Sequence, residues 1–274
     1  MKAGALLRGW ARAAFRYEPL RGWRIRWNDR RRPPHPVDVA YGIRTGGTIG
    51  SDVLYGSVAG AADRNYYVGS QAGVVRRALG LVRDREHTAL VDLGCGKGRV
   101  LAIGTEFGFR EIVGLELSAP LAAVAVANMA IVARRFPERT RARVVCCDAA
   151  SLTLPDGPLA VFLFHPFGET TMQRVIARLE ERLARSAYAL TIAYYNPVCG
   201  ALFDASSAFV RAHALSIPYD DDEPATAEHD SSAVVIWEDR RHAQTPLADA
   251  LRPIVVVDAM HVRLGAAEEP DAAP

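Results

Sequence analysis

The sequence predicts an α/β fold, a seven-stranded and mostly parallel sheet with helices on both faces. Five continuous apolar runs alternate with amphipathic stretches between residues 70 and 195, which is typical of parallel strands covered on both sides. Two further apolar runs, 208–215 and 232–238, are separated by a polar, acidic loop instead of a helix. They predict an antiparallel pair, so we expect an antiparallel strand near the C-terminal end of the sheet.

Bulk composition restricts the class of protein. The chain has 274 residues, 50% of them hydrophobic, so it can bury a sizeable core, and its net charge of +2 does not by itself indicate a polyanionic partner. Its four cysteines form no CxxC pair, which argues against a disulfide framework or a zinc site and suits a reducing cytosol. No apolar run approaches the roughly 20 residues of a membrane span. We therefore expect a cytoplasmic protein without a bound metal, a signal peptide or a transmembrane segment.

The predicted organisation has three parts: a basic N-terminal arm and cap segment (1–65), one folded domain (66–264) and a disordered tail (265–274). The beginning of the arm is rich in Arg and Trp. We interpret it as packed on the domain; a membrane-surface helix and a nucleic-acid-binding arm are the alternatives. The prolines at 33, 34 and 36 are expected to break any helix, and the glycine-rich residues after them predict a loop or cap.

Strands and helices of the domain follow one another in a regular alternation. Ser70 is expected to cap the first helix, Ser118 to open another, and an apolar stripe from Met172 to Leu183 marks the last long helix. Residues 253–264 predict one more strand or an extension of an edge strand. The five predicted parallel strands are TALVDL (88–93), EIVGLE (111–116), RVVCCD (143–148), LAVFLF (159–164) and ALTIAYY (189–195).

The stretch VDLGCGKGRV, residues 91–100, joins the first of these strands to its helix. Glycines at 94, 96 and 98 let the backbone approach a ligand closely, and the N–H groups that begin the next helix suit a carboxylate or a phosphate. The dinucleotide pattern GxGxxG would require a glycine where Arg99 stands, and a GxxxxGK[ST] phosphate loop is absent. The turn alone therefore indicates a nucleotide-type ligand, but it does not distinguish between the several ligands of this type.

Carboxylates stand at the ends of the first three predicted strands. Asp92 lies beside the glycine turn, Glu116 is placed where an acid can accept both hydroxyls of a ribose, and Asp148 follows the third strand. An acid at that third position can accept a hydrogen bond from an exocyclic amino group, although it can also simply cap a turn. Glu116 can equally be an ordinary strand-end carboxylate. Together the acids favour a ligand with positive charge over one that carries a pyrophosphate.

Four segments in this order, VDLGCGKGR, GLELS, CCDAA and FHPFG, resemble the motifs of the class I S-adenosylmethionine-dependent methyltransferases. The resemblance covers roughly residues 66–238. It implies a Rossmann-like fold, S-adenosylmethionine as the cofactor and S-adenosylhomocysteine as the product. A narrower likeness connects the chain with bacterial proteins that are similar to Dot1-like lysine methyltransferases.

The resemblance also implies roles for single residues. The residues implied to line the methionine part of the cofactor are Gly94, Gly96 and Gly98. Asp92 would hold the amino group of the cofactor, and Glu116 would bind its ribose hydroxyls. Asp148 would receive the adenine amino group, with the backbone of Ala149 beside it. Tyr67 is a candidate to cover the cofactor, although paired tyrosines are also common core material.

Four further residues of these motifs are assigned no role in the chemistry. Lys97 and Arg99 are expected to be solvated or paired at the start of a helix. Cys95 is expected to pack in the core, and the resemblance implies a structural role for Asn128.

The methyl acceptor would contact two segments, FHPFG after the fourth strand and YYNPV after the fifth. Amine methyltransferases often have [DN]PP[FYW] after the fourth strand, where backbone carbonyls and the Asn or Asp side chain hold an amino group. His165 replaces that side chain, so it is a candidate general base, an imidazole contact or a structural residue. Tyr195 and Asn196 are the candidate catalytic residues after the fifth strand, on the same edge of the sheet.

We therefore expect an enzyme that methylates a nitrogen or oxygen atom of a small molecule. A protein lysine is the second candidate: the acids of the loop 219–230 can attract a cation, although a solvated loop is the simpler interpretation. RNA is the third and least expected acceptor. Two rival functions remain, a non-catalytic S-adenosylmethionine-binding partner protein and a nicotinamide oxidoreductase, which Arg99 and Asp148 disfavour. The oligomeric state stays open.

Overall fold

The computed structural model describes residues 34–55, 63–151, 154–220, 231–244, 248–258 and 261–266. The strands are β1 (Thr48–Ile49), β2 (Tyr67–Val68), β3 (Ala89–Leu93), β4 (Glu111–Glu116), β5 (Ala142–Cys146), β6 (Leu159–Phe164), β7 (Leu190–Tyr195), β8 (Phe209–Pro218), β9 (Ser231–Asp239), β10 (Ile254–Asp258) and β11 (His261–Leu264). The α-helices are α1 (Pro36–Tyr41), α2 (Ser51–Tyr55), α3 (Ala72–Gly80), α4 (Arg99–Gly104), α5 (Ala119–Arg135), α6 (Glu169–Arg185) and α7 (Gly200–Ala205). Short 3-10 helices cover Thr105–Phe107, Ala149–Ser151 and Ala248–Leu251.

Seven strands form the central sheet, in the order β5-β4-β3-β6-β7-β9-β8. The first five of these are parallel, with β3 between β4 and β6. β9 runs antiparallel to both β7 and β8. The predicted α/β fold, with an antiparallel strand near the C-terminal end of the sheet, is confirmed.

Apolar side chains hold the sheet between two helical layers. On one face, Leu79 of α3 and Leu101 of α4 share a buried cluster with Phe162 of β6. On the other face, the stripe predicted for α6 is buried in one cluster with Trp237 of β9 and Tyr194 of β7. Burial of a side chain such as Leu or Phe stabilises the fold by roughly 1.5–3 kcal/mol. The two layers therefore bury both faces of the parallel strands.

The cap segment contains regular structure that the sequence pattern did not predict. Pro36 begins α1 instead of preventing a helix, because proline suits the first turn and the His35 Nδ1 atom accepts a hydrogen bond from the Val37 amide at 3.2 Å. β1 and β2 pair in antiparallel fashion. The expected cap at Ser70 is wrong, since Gln71 occupies the N-cap position of α3.

The last described residues form a separate antiparallel hairpin, β10 with β11, outside the seven-stranded sheet. The prediction of one more sheet strand or an edge extension was therefore wrong. The hairpin packs on the sheet because Val262 and Leu264 are buried in the same cluster as Trp237. The six-residue helix α7 was not predicted either.

Three predicted segments lie largely outside the described residues: the arm up to residue 33, the acidic loop at 221–230 and the tail from 267. The domain boundaries therefore stay predictions. Before β2, the described chain packs on the domain, because the Thr171 amide donates to Asp63 Oδ2 at 2.7 Å. No helix among the described residues is long and apolar enough to cross a membrane.

Candidate functional site

A cleft opens at the edge of the sheet where β3, β4, β6 and β7 end, and residues 65–70 form part of its wall. The predicted site residues that line it are Tyr67, Asp92, Gly94, Gly96, Glu116, His165 and Asn196. The predicted site residues that do not line it are Gly98, Asp148, Ala149 and Tyr195. The topology thus brings most of the predicted residues together, from five separate parts of the chain.

The glycine turn after β3 needs glycine for two physical reasons. Gly94, Gly96 and Gly98 have φ angles of 81°, 55° and 87°, in the left-handed region that other residues rarely adopt. A Cβ atom on Gly94 would lie 2.5 Å from the Cβ atom of Pro166, and one on Gly96 would lie 2.4 Å from the ring of Tyr67. Because Gly94 and Gly96 have no side chain, the turn can pack directly against Pro166 and Tyr67. Gly98 occupies the N-cap position of α4.

Asp92 is a buried carboxylate at the bottom of the cleft. Its Oδ2 atom has no hydrogen-bond partner among the described residues, although it is shielded from solvent. Burial, and then the charge of Glu116, raises the pKa of Asp92 well above its ordinary value. An unpaired buried carboxylate is unfavourable, so a cationic group in the cleft would complete this site.

Glu116, the last residue of β4, connects the two sides of the glycine turn. Its Oε2 atom accepts a hydrogen bond from the Gly96 amide at 2.9 Å, and its Oε1 atom accepts one from the Ser118 amide at 2.7 Å. Burial raises the pKa of Glu116, while these amides act in the opposite direction. A carboxylate has about four acceptor positions, so Glu116 can also accept hydrogen bonds from ligand hydroxyls.

Asp148 follows β5, outside the cleft. Its Oδ1 atom accepts a hydrogen bond from the Ala150 amide at 3.0 Å, so it caps the 3-10 helix that Ala149 begins. Its Oδ2 atom lies 3.5 Å from the guanidinium groups of both Arg64 and Arg174. Burial alone would raise the pKa of Asp148, but the amide and the two arginines outweigh it, and the pKa is lowered.

The two basic residues of the glycine turn, Lys97 and Arg99, are buried, which the sequence pattern did not predict. Lys97 donates from Nζ to the backbone oxygen of Gly46 at 2.7 Å and lies 5.0 Å from the centre of the Tyr67 ring. Asn128 supports the same loop, because its Nδ2 atom donates to the backbone oxygen of Lys97 at 2.8 Å and to that of Arg44 at 3.0 Å. The expected structural role of Asn128 fits these contacts.

Arg99 makes a second link between the glycine turn and the cap segment. Its Nε atom donates to Thr45 Oγ1 at 2.7 Å, and its guanidinium also donates to the backbone oxygen of Ser70 at 2.6 Å. Lys97 and Arg99 are therefore paired as expected but not solvated, with exposed fractions of 0% and 4%. Two features of the sequence, far apart along the chain, could have indicated this link: the basic residues at 97 and 99, and the glycine-rich segment at 42–50, which had no assigned partner.

His165 lies in the turn after β6, with a positive φ of 37°. Its Nδ1 atom is 3.0 Å from the hydroxyl of Tyr194, which is fully buried. Its backbone oxygen accepts a hydrogen bond from Asn65 Nδ2 at 2.7 Å. The turn after β6 is therefore held in place by a contact with β7 and by a hydrogen bond from the segment before β2.

Tyr195 and Asn196 behave differently, although they are adjacent. Tyr195 does not line the cleft, because its ring stacks on Phe164 at 4.1 Å and its hydroxyl accepts a hydrogen bond from Ser232 Oγ at 2.9 Å. The tyrosine that contacts His165 is its neighbour Tyr194, so the structure differs here from the expectation. Asn196 lines the cleft, and its Oδ1 atom accepts a hydrogen bond from the Val262 amide at 2.9 Å.

Comparison with known proteins finds a family model that matches part of the chain and a set of distant structures. Residues 91–180 match the family model described as "Methyltransferase domain". Among curated proteins, no significant match is found. Magnesium protoporphyrin IX methyltransferase from Synechocystis PCC 6803 is 13% identical, with 61% of this chain and 77% of that chain covered and a TM-score of 0.45. A putative RNA methyltransferase from Pyrococcus horikoshii is 15% identical, with 62% and 82% covered and a TM-score of 0.43.

The matched range begins in β3 and contains the glycine turn, Asp92, Glu116 and Asp148. It also contains the parallel core of the sheet, from β4 to β6, and most of α6. Over this range the chain is similar to a methyltransferase domain, which agrees with the order of the motifs and with the topology of the sheet.

Proposed function

We propose that the chain transfers a methyl group from S-adenosylmethionine to a nitrogen or oxygen atom of a small molecule. The observation that carries the proposal is the buried carboxylate of Asp92, whose Oδ2 atom has no partner among the described residues. It lies beside a left-handed glycine turn in a cleft that continues to His165 and Asn196. A cationic cofactor at one end and an acceptor at the other fit this arrangement.

Residues around the glycine turn would hold the methionine and ribose parts of the cofactor, which supplies an electrophilic methyl group on a positively charged sulfur. Asp92 would accept a hydrogen bond from the ammonium group. Glu116 would accept hydrogen bonds from the ribose hydroxyls, in addition to its two bonds from backbone amides. Gly94 and Gly96 would let the ligand lie against the backbone, and Gly98 would keep the turn in shape.

Two further roles concern the ends of the cofactor site. Asp148 and Ala149 would hold the adenine beyond Glu116, with Asp148 shared between the adenine amino group and Arg64. Tyr67 would cover the glycine turn, since its ring already lies against Gly96.

A small-molecule acceptor is supported by the distribution of charge in the cleft. Among the described lining residues, the Asp, Glu, Lys and Arg side chains are Asp92, Arg99 and Glu116, all at the cofactor end. The acceptor end is lined by Phe164, His165, Pro166 and Asn196. A lysine side chain or an RNA phosphate would favour charged partners, whereas a compact, mainly uncharged molecule suits aromatic and amide contacts.

A labelled-methyl assay tests the proposal. The purified chain is incubated with S-adenosylmethionine labelled in the methyl group and with separate metabolite, protein and RNA fractions. We expect label in the metabolite fraction, lost in Asp92→Asn and kept in Asp84→Asn, a matched change at an exposed carboxylate. Label only in protein or RNA would exclude the small-molecule acceptor. Cofactor binding without transfer to any fraction would point to a non-catalytic binding protein.

A further inference from the structure

Arg99 is a buried cation in the wall of the cleft, and it forms no ion pair with a carboxylate of the described residues. Its exposed fraction is only 4%, although it lines the cleft together with Asp92. The guanidinium of an arginine keeps its charge in proteins, and a buried charge without a counter-charge is unfavourable. An anionic group of a ligand in the cleft would therefore stabilise Arg99.

Two hydrogen bonds within the protein hold the guanidinium of Arg99 in place. Its Nε atom donates to Thr45 Oγ1 at 2.7 Å, and its Nη1 atom donates to the backbone oxygen of Ser70 at 2.6 Å. The hydroxyl of Thr45 donates in turn to Asp38, so this carboxylate contacts Arg99 only through Thr45. A guanidinium has five N–H groups. The two bonds use one N–H of Nε and one of Nη1, so both N–H groups of Nη2 are without an acceptor among the described residues.

Gly69, another residue of the cleft wall, provides the space for this guanidinium. A Cβ atom on Gly69 would lie 2.7 Å from the Cζ atom of Arg99 and 2.8 Å from both Nη1 and Nη2. The guanidinium therefore packs directly on the backbone of Gly69, where no other residue leaves enough room. Because it is packed and also bonded at two atoms, its remaining N–H groups have a fixed orientation. Such a rigid set of donors suits the two oxygens of a carboxylate.

We propose that Arg99 binds the carboxylate in the methionine part of S-adenosylmethionine, while Asp92 binds the ammonium group. This inference rests on the proposed methyltransferase function. Asp92 precedes the glycine turn and Arg99 follows it, and both line the cleft. Their opposite charges match the two charged groups of an amino acid, so each buried charge gains a partner when the cofactor binds. Arg99 is therefore a cofactor-binding residue as well as a link to the cap segment.

A ligand that lacks only the carboxylate tests this role. Decarboxylated S-adenosylmethionine keeps the ammonium group, the positively charged sulfur and the ribose, so its net charge is more positive than that of S-adenosylmethionine. If the charges of Asp92 and Glu116 alone determined affinity, the decarboxylated ligand would bind more tightly. A carboxylate site at Arg99 predicts the opposite preference.

Titration calorimetry of the full-length chain with each ligand measures this preference. We expect the wild type to bind S-adenosylmethionine about 10- to 100-fold more tightly than the decarboxylated ligand, which is the usual effect of a hydrogen bond between charged groups. Arg99→Met keeps an apolar stem but removes the guanidinium, so the preference should disappear or reverse. A purely structural role of Arg99 predicts instead that this variant weakens both ligands by the same factor, and that result would overturn the inference.

Two further variants show whether the preference belongs to Arg99. Lys97→Met removes the other buried cation of the turn, which is not among the described lining residues, so it should change both affinities equally and keep the preference. Gly69→Ala retains Arg99 but fills the space of its guanidinium, so it should reduce the preference even if Arg99→Met does not fold. An unchanged preference in Gly69→Ala would contradict the inference.

The same titrations distinguish a failure of this inference from a failure of the proposed function. A wild-type chain that binds neither ligand would contradict the proposed function. A wild-type chain that binds both ligands equally, or the decarboxylated one more tightly, would leave the proposed function in place and overturn the role of Arg99.

Discussion

The two ends of the cleft differ in the charged side chains that line them. At the cofactor end, Asp92 and Glu116 are buried carboxylates, and burial raises the pKa of both. At the acceptor end, the described lining residues, His165 and Asn196 among them, include no Asp, Glu, Lys or Arg. The comparison indicates that one end suits a cation and the other a mainly uncharged molecule. The cofactor end is also the unfavourable one in the absence of ligand, because a buried carboxylate without a counter-charge is costly.

The largest effect is expected from Asp92→Asn, which removes the charge and keeps the shape. Affinity for S-adenosylmethionine should fall about 30- to 1000-fold, as when one partner of a buried charge pair, worth about 2–4 kcal/mol, is lost. Titration calorimetry measures this fall, and Asp84→Asn is the control. An unchanged affinity for the cofactor in Asp92→Asn would contradict the assignment of the cofactor end.

The same variant should make the cofactor-free chain more stable at neutral pH. Because the folded state raises the pKa of Asp92 above 3.8, it binds that proton more tightly than the unfolded chain does. Stability is therefore fully present below that value and declines as the pH rises through the raised pKa. Urea unfolding at a series of pH values should show a weaker decline in Asp92→Asn than in the wild type, and equal declines would exclude Asp92 as the cause.

A smaller effect is expected from Lys97→Met, which keeps the apolar stem and removes the ammonium group. The variant loses the hydrogen bond to Gly46 and the contact with the Tyr67 ring, so the cap segment should loosen over the glycine turn. Cofactor affinity should fall about tenfold, which corresponds to a charged hydrogen bond of about 1.5 kcal/mol. Hydrogen exchange should quicken at residues 45–48. Arg77→Met, an exposed change on α3, should alter neither property.

The smallest effect on the cleft is expected from Leu179→Ala, a change on the buried side of α6. The change should reduce the free energy of unfolding by about 2–5 kcal/mol, because it leaves a cavity in a packed layer. Cofactor affinity per folded molecule should stay at the wild-type value. Gln173→Ala, on the exposed side of the same helix, should stay within about 0.5 kcal/mol. A large loss of affinity in Leu179→Ala would mean that the cleft is coupled to this layer.

The sequence was most informative where local pattern and burial coincide. β4 and β6 have the predicted bounds, because a strand buried on both faces is a continuous apolar run. Asp92 and Glu116 could be placed in the cleft for a related reason, since the ends of parallel strands meet at one edge of the sheet.

Contacts between distant parts of the chain could not be predicted in this way. Lys97 pairs with Gly46, and Asn65 holds the turn at His165, a hundred residues later in the chain. Alternation along β7 places Tyr194 and its neighbour on opposite faces, but it does not say which face supports the turn after β6. Only the packed structure shows that Tyr194 does.

The most direct test of the central claim, that the carboxylate end binds the cationic cofactor, is calorimetry of the wild-type chain with S-adenosylmethionine and, separately, with NAD. We expect S-adenosylmethionine to bind at one site per chain and NAD not to bind, because the acids at the cleft disfavour a pyrophosphate. Binding of NAD without binding of S-adenosylmethionine would contradict the account.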